Sequence, residues 1–528
     1  MFDIVISNGK ILNGLGTPSF FGHIGIKGDR ILRIETDTPL TGNRTIDAKG
    51  MIVSPGFVDI HGHSDYFLLI NPQAESKVRQ GVTTEVGGNC GYSAAPVFGE
   101  EAAERKTEYG KQFSLDLSWD TINGYKGVLE KIGISMNFAL LAGHNTIRAS
   151  VMGRENREPT ADELNEMCKA VEDGMKEGAF GLSTGLIYPP ACFSKIEEMV
   201  ALNNVVRRYG GVFTTHIRNE DDLVLEAINE VVDVAKEARV PLQISHLKTS
   251  RERNWNKLNE IFEIIERARQ EGTDVTCDRY PYIASNTGLQ AILPNWASEG
   301  NRETRIGRLK DRALREKIRH DILEKHPEQG YWDTIVISTL TSEKNRSYEG
   351  TSITEAADMT GKAPFDFAMD ILIEEETNVS AIYFTMSEDN LMDIYGKPYT
   401  MIGSDAACRA DYGQLAEGKP HPRAFGTFPR VLGKYARDQG GMNLPTAVKK
   451  MTSDPCRKMG ISKRGELRVG FYADLVVFDP DTIMDKATFS EPVQYPEGIE
   501  YVLVNGNITV EKGNHTGCRG GRVLRKNE

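Results

Sequence analysis

A chain of 528 residues is too long for one ordinary domain, but it fits one large domain joined to a smaller module. With 39% hydrophobic and 26% charged residues and a mean hydropathy of −0.39, it has the composition of a soluble globular protein. No apolar run approaches the ~18 residues of a membrane span, and a net charge of −12 without a Lys/Arg-rich face leaves no footprint for nucleic acid. The N-terminus, MFDIVISNGKIL, reads as a strand and a turn, with neither a basic segment nor a cleavage site. Seven cysteines are scattered without a CxxC pair, which fits a reducing compartment, and a cytoplasmic protein is expected.

The first ~50 residues are short strands joined by Gly, Asn and Asp turns: DIVISNGKIL, HIGIKGDRILRI and RTIDAKGMIVSPG. The C-terminal end, with GELRVGFYADLVVFDP and IEYVLVNGNITVEKG, has the same texture. Neither end can bury a core alone, so residues 1–54 and 464–528 are expected to form one small β-sandwich domain built from both termini. Between them run eight apolar segments: GFVDIHGH, TTEVGGNCG, MNFALLAGHN, GAFGLSTGL, GVFTTHIRN, VPLQISHLK, DVTCDRYPY and MIGSDA. Helical patterns such as ADELNEMCKAVEDGMKEG separate several of them. This alternation predicts an α/β fold, a (β/α)8 TIM-like barrel over residues 55–463, with its site at the C-terminal strand ends. A polar, helix-rich stretch follows Tyr282 and is far too long for a βα loop. It predicts a helical lid insertion at about 283–345.

Chemistry-bearing residues fall at those strand ends. Along the first barrel strand Phe57, Asp59, His61 and His63 share one face, so two imidazoles can reach one metal ion. Strands five and six each end on a histidine, His216 and His246. Strand eight ends on Asp405, placed to act as general base toward a water at the barrel mouth. Lys248 lies two residues after His246 and shares its inward face. His144 reads as structural, and His23, His320, His326, His421 and His515 carry no supporting context.

Together SPGFVDIHGHSD, the strand-end His216 and His246, and Asp405 resemble the amidohydrolase superfamily. Within it, TTEVGGNCGYSAAPV, STGLIYPP, FTTHIRNE, ISHLKTS, DRYPY, GSDA and HPRAFGTFPRVLG resemble the D-aminoacylase (N-acyl-D-amino-acid deacylase) family over nearly the whole chain. The resemblance implies one tightly bound Zn²⁺ on Cys90, His216 and His246. It also implies a second, weaker metal position framed by His61, His63 and Asp405. It implies that Lys248, Tyr280 and Arg423 bind the carboxylate of a small N-acyl amino acid, and Tyr188 is expected to line the pocket. Hydantoinases and dihydroorotases resemble one another in a metal-bridging lysine on strand four, which GAFGLSTGL lacks.

The pattern departs from the family in two places. AACRADYGQLAEGKPHP, between Asp405 and Arg423, is longer than expected, and Asn286 stands where serine is usual. The expected activity is zinc-dependent hydrolysis of N-acyl-D-amino acids. The alternatives are a cyclic amidohydrolase, a dipeptidase acting on peptides with a C-terminal D-residue, or a non-enzymatic barrel. No membrane or nucleic-acid partner is expected, and nothing in the sequence sets an oligomeric state.

Overall fold

The computed structural model describes residues 1–526. Both ends of the chain contribute to one mixed sheet of nine strands. Ile52–Pro55 is the seam: it runs parallel to Phe2–Ile11 and antiparallel to Leu475–Phe478, with Val53 opposite Val477. The hydrogen bonding is therefore continuous across strands from both termini. Ile6, Ile24, Ile26, Val53 and Val477 share one buried cluster on this sheet.

All eight apolar segments are strands, and they pair in parallel in sequence order. Phe57–Asp59, Val82–Gly87 and Asn137–Leu140 form one run. Ala142–Gly143, Gly181–Gly185, Val212–His216, Leu242–Ile244, Val275–Arg279 and Thr400–Ile402 form the other. A single residue, Leu141, separates the two runs along the chain. At the opposite side a parallel bridge joins Gly62 to Ala406, and Asp405 N donates to His61 O at 2.7 Å. Strands such as VTTEVG, VFTTH and VTCDR are buried on both faces, as expected of a parallel sheet covered by helices. Val224–Ala238 shows why those helices form: Val224, Ala227, Ile228, Val231, Val232, Ala235 and Ala238 recur at helical spacing and are all buried. Ala161–Lys176 opens on a capping box between Thr160 and Glu163.

The insertion is longer than its sequence pattern implied. Ala284–Gly288, Ile335–Thr339 and Ser380–Phe384 form an antiparallel sheet, so the unit runs to Phe384 rather than ending near 345. Its last part, a strand and the helices Ile353–Thr360 and Pro364–Glu374, imitates barrel repeats in one dimension; only the antiparallel pairing assigns it here. Leu309, Ile318, Ile337, Phe367 and Leu372 belong to a core of its own. Among the described residues no helix is long and apolar enough to cross a membrane.

Beneath the strand ends lies a buried ion network. Lys77 Nζ donates to Asp59 Oδ2 at 2.6 Å, Ser404 Oγ at 2.8 Å and Ala406 O at 2.8 Å, and lies 3.1 Å from Glu85 Oε2. Asp59 Oδ1 accepts from the backbone of His61 and Ser404, so one lysine ties the first strand end to the eighth. Gly62 is needed beside it, because a Cβ there would stand 2.2 Å from Glu85 Cδ. Replacing Lys77 with methionine would leave two buried carboxylates without a counter-charge. The expected loss is about 3–5 kcal/mol of stability, measured as a shift in the denaturant midpoint; an unshifted midpoint would contradict the role assigned to Lys77.

Candidate metal centre and substrate cavity

Six side chains from four strand ends and the loop after Val82–Gly87 converge here. Cys90, His216 and His246 form one group whose ligand atoms all lie within 4.8 Å of one another; His61, His63, Cys90 and Asp405 form a second. Cys90 Sγ lies 3.3 Å from His61 Nε2 and 3.6 Å from His246 Nε2. His63 Nε2 and His61 Nε2 lie 3.0 and 3.5 Å from Asp405 Oδ1. Three of these residues hold left-handed backbone, with φ of 53° at Cys90, 36° at His246 and 52° at Asp405. Such conformers cost on the order of 1–3 kcal/mol each and concentrate at sites that need a side chain aimed.

The electrostatics suit a cation. Burial opposes ionisation of the Cys90 thiol, yet the charge of His61 and the imidazoles of His61, His246 and His216 around it hold it well below its ordinary value. Burial lowers the His216 imidazole, keeping its nitrogens available as donors of lone pairs. Neither ring nitrogen of this buried histidine has a hydrogen-bond partner among the described residues. A cysteine held toward its thiolate beside convergent imidazoles is a donor set that fits zinc.

Two carboxylates that the sequence reasoning passed over orient these ligands. Asp278 Oδ1 lies 3.0 Å from His61 Nδ1 and accepts from His246 N at 2.8 Å. Glu220 Oε1 stands 3.1 Å from His246 Nδ1 and 3.5 Å from His216 Nε2, and it accepts from Lys248. Fixing the far nitrogen of a ligating histidine in this way sets its tautomer and aim. Asp278 has the parity of Tyr280 on its strand and was findable; Glu220 follows His216 by four residues in a loop, which no strand parity reaches.

A cavity of about 1070 Å³ opens above these groups, lined by His63, Cys90, His216, Lys248, Asp405 and Arg423. The insertion supplies part of its wall, including Asn286 and Tyr383. Arg423 opens a helix, Arg423–Arg430, and its Nη1 lies 2.7 Å from Asp405 Oδ2. The long stretch after Asp405 therefore does not carry it away from the site. His421, which had no sequence context, lines the cavity and orients this arginine: its Nδ1 accepts from Arg423 N at 3.0 Å. Asn286 Nδ2 donates to Ala381 O at 2.8 Å, bracing the insertion's sheet, while its carbonyl accepts from Arg423. Tyr188 packs edge-on against His216, ring centroids 4.9 Å apart, and its hydroxyl meets Thr287 Oγ1 at 3.0 Å. Tyr280 differs from the others: it is fully buried behind the cavity wall, its hydroxyl without a partner among the described residues. His144 is structural, 2.7 Å from buried Glu198.

Burial opposes ionisation of Asp405, but Arg423, His246 and His63 hold its carboxyl well below the usual range, so it is a carboxylate at neutral pH. The fourth parallel strand, Gly181–Gly185, carries no lysine that could bridge two metals.

Comparison with known proteins agrees with this arrangement. Residues 44–510 match the sequence profile of the Amidohydrolase family. The chain is 34% identical to the D-aminoacylase of Alcaligenes xylosoxydans xylosoxydans, over 99% of this chain and 97% of that one. It is 35% identical to the N-acyl-D-glutamate deacylase of the same organism, over 99% and 96%. Among solved structures, the N-acyl-D-glutamate deacylase of Bordetella bronchiseptica is 32% identical, with a TM-score of 0.83 over 99% of both chains. That structure holds zinc and a phosphonate inhibitor that mimics the reaction's tetrahedral intermediate. On full-length similarity of this order, the chain belongs to the amidohydrolase family, in the group of the D-aminoacylases.

Proposed function

We propose that this protein is a zinc-dependent deacylase of N-acyl-D-amino acids, which it hydrolyses to a carboxylate and a free D-amino acid. The observation that carries the proposal is one cavity bringing together a thiolate–imidazole donor set, the Asp405 carboxylate, and the cations Lys248 and Arg423. The D preference rests on the relatives. In this reading the parallel strands close as a (β/α)8 barrel, the terminal sheet is a separate small β-domain, and the insertion is a lid. The seven unpaired cysteines support a cytoplasmic location.

Cys90, His216 and His246 would hold the tighter zinc, with His61, His63 and Asp405 framing a second, weaker position. Bound zinc polarises an amide carbonyl and lowers the pKa of water toward ~7. Asp405 then accepts a proton from the attacking water and returns it to the departing amine as the C–N bond breaks. Lys248 and Arg423 fix the substrate carboxylate, with Tyr188 against the substrate on the His216 side. Tyr280 supports that subsite from behind. Arg423 has a double part. Paired with Asp405 it keeps that carboxylate a weak base, and a substrate carboxylate that draws it away would strengthen the base as the substrate arrives.

Zinc-loaded protein should release amine from N-acetyl-D-amino acids, lose that activity to a chelator and regain it with Zn²⁺. A panel of D- and L-substrates with no amine released would sink the proposal. Cys90→Ala and His216→Ala should each strip most bound zinc. Asp405→Asn should keep the tighter zinc while kcat falls about 10²–10⁴-fold, and a near-normal kcat would exclude the proton-transfer role. Lys248→Met should raise KM for free-carboxylate substrates about tenfold; an unchanged KM would count against its assignment.

A further inference from the structure

Arg279 closes the seventh parallel strand, Val275–Arg279, and is 1% exposed. Its Nη2 donates to Tyr282 O at 2.9 Å and approaches Met386 Sδ at 3.0 Å. Its Nε and Nη1 have no partner among the described residues. A guanidinium buried without a carboxylate is costly, and proteins rarely keep one.

Its position gives it a use. The Arg279 guanidinium carbon lies 4.3 Å from the centroid of the Tyr280 ring, Arg423's lies 4.6 Å from the same ring, and Lys248 Nζ lies 5.9 Å from it. Three cations thus surround one buried aromatic ring. Two carboxylates face the group: Asp405 on Arg423, and Glu220 on Lys248. His421, also beside the ring, is pushed far below the imidazole range by burial and by Arg423, and adds no charge. Of the three cations, Lys248 and Arg423 line the cavity and each has a carboxylate on it, whereas Arg279 has none among the described residues.

We propose that Arg279 is a positioning residue for the substrate carboxylate: it touches no substrate atom, but its uncompensated charge behind Tyr280 completes the subsite of Lys248 and Arg423. The ligand is a free α-carboxylate, so the enzyme selects N-acyl amino acids over their neutral amides. This rests on the deacylase reading.

The experiment compares kcat/KM for an N-acyl-D-amino acid and for its primary amide, in zinc-loaded wild type, Arg279→Gln and Arg279→Lys. Arg279→Gln should lower kcat/KM on the free acid about tenfold more than on the amide, the size of one charge acting across several ångströms of protein. Arg279→Lys, which keeps the charge and is the gentler change, should retain most of the wild-type acid-to-amide ratio. Equal losses on acid and amide in Arg279→Gln, or an acid-specific loss in Arg279→Lys as large as in Arg279→Gln, would overturn the proposal. Wild type inactive on every N-acyl-D-amino acid would end the deacylase reading and this one with it, whereas active wild type with an unchanged ratio in both variants ends only this one.

Discussion

His216 is buried with neither ring nitrogen hydrogen-bonded among the described residues, and the Cys90 thiol beside it is held toward its ionised form. Leaving a buried polar group unpaired costs about 1–3 kcal/mol. Both features persist only because the surrounding frame fixes them. Lys77 locks the first strand end to the eighth, Asp278 holds His61 and the backbone of His246, and Glu220 holds Lys248 and His246. Cys90, His246 and Asp405 are bent into left-handed backbone to complete the convergence. A bound cation offsets those costs together, so stability and catalysis draw on the same few contacts.

Most of this was legible in the sequence where a one-dimensional period maps onto a three-dimensional direction. Strand parity placed His61 and His63 on one face, and the strand-end histidines His216 and His246 at one rim. Alternation of strands and helices located all eight parallel segments. Cys90 is a different case, since a cysteine in a glycine-rich loop has no parity, and only family resemblance singled it out. Glu220 and His421 lie in connections whose backbone path no period describes. The far boundary of the insertion was missed for a related reason. Ile335–Thr339 has the length of the parallel strands, and only its antiparallel partner, Ser380–Phe384, removes it from their series. Tyr280 was right in parity but sits one layer too deep to line the cavity.

Charge in the site is organised by sharing rather than by isolated pairs. Asp405 faces two histidines through one oxygen and Arg423 through the other. Glu220 similarly faces two histidines and a lysine. A group engaged on two sides changes strength when either partner moves, which allows binding at the carboxylate end to be felt at the hydrolytic end.

The insertion leaves and rejoins the chain at neighbouring points, since Ala284 pairs directly with Phe384. Its entry and exit strands are thus adjacent, and it keeps its own apolar core. Such a unit is a cassette. Its interior can accumulate change, lengthen or be exchanged with a relative's while the pairing of its entry and exit strands and the parallel strand ends stay as they are. The wall of the cavity can therefore evolve at a different pace from its floor, and new acyl or side-chain preferences can arise on an unaltered hydrolytic base.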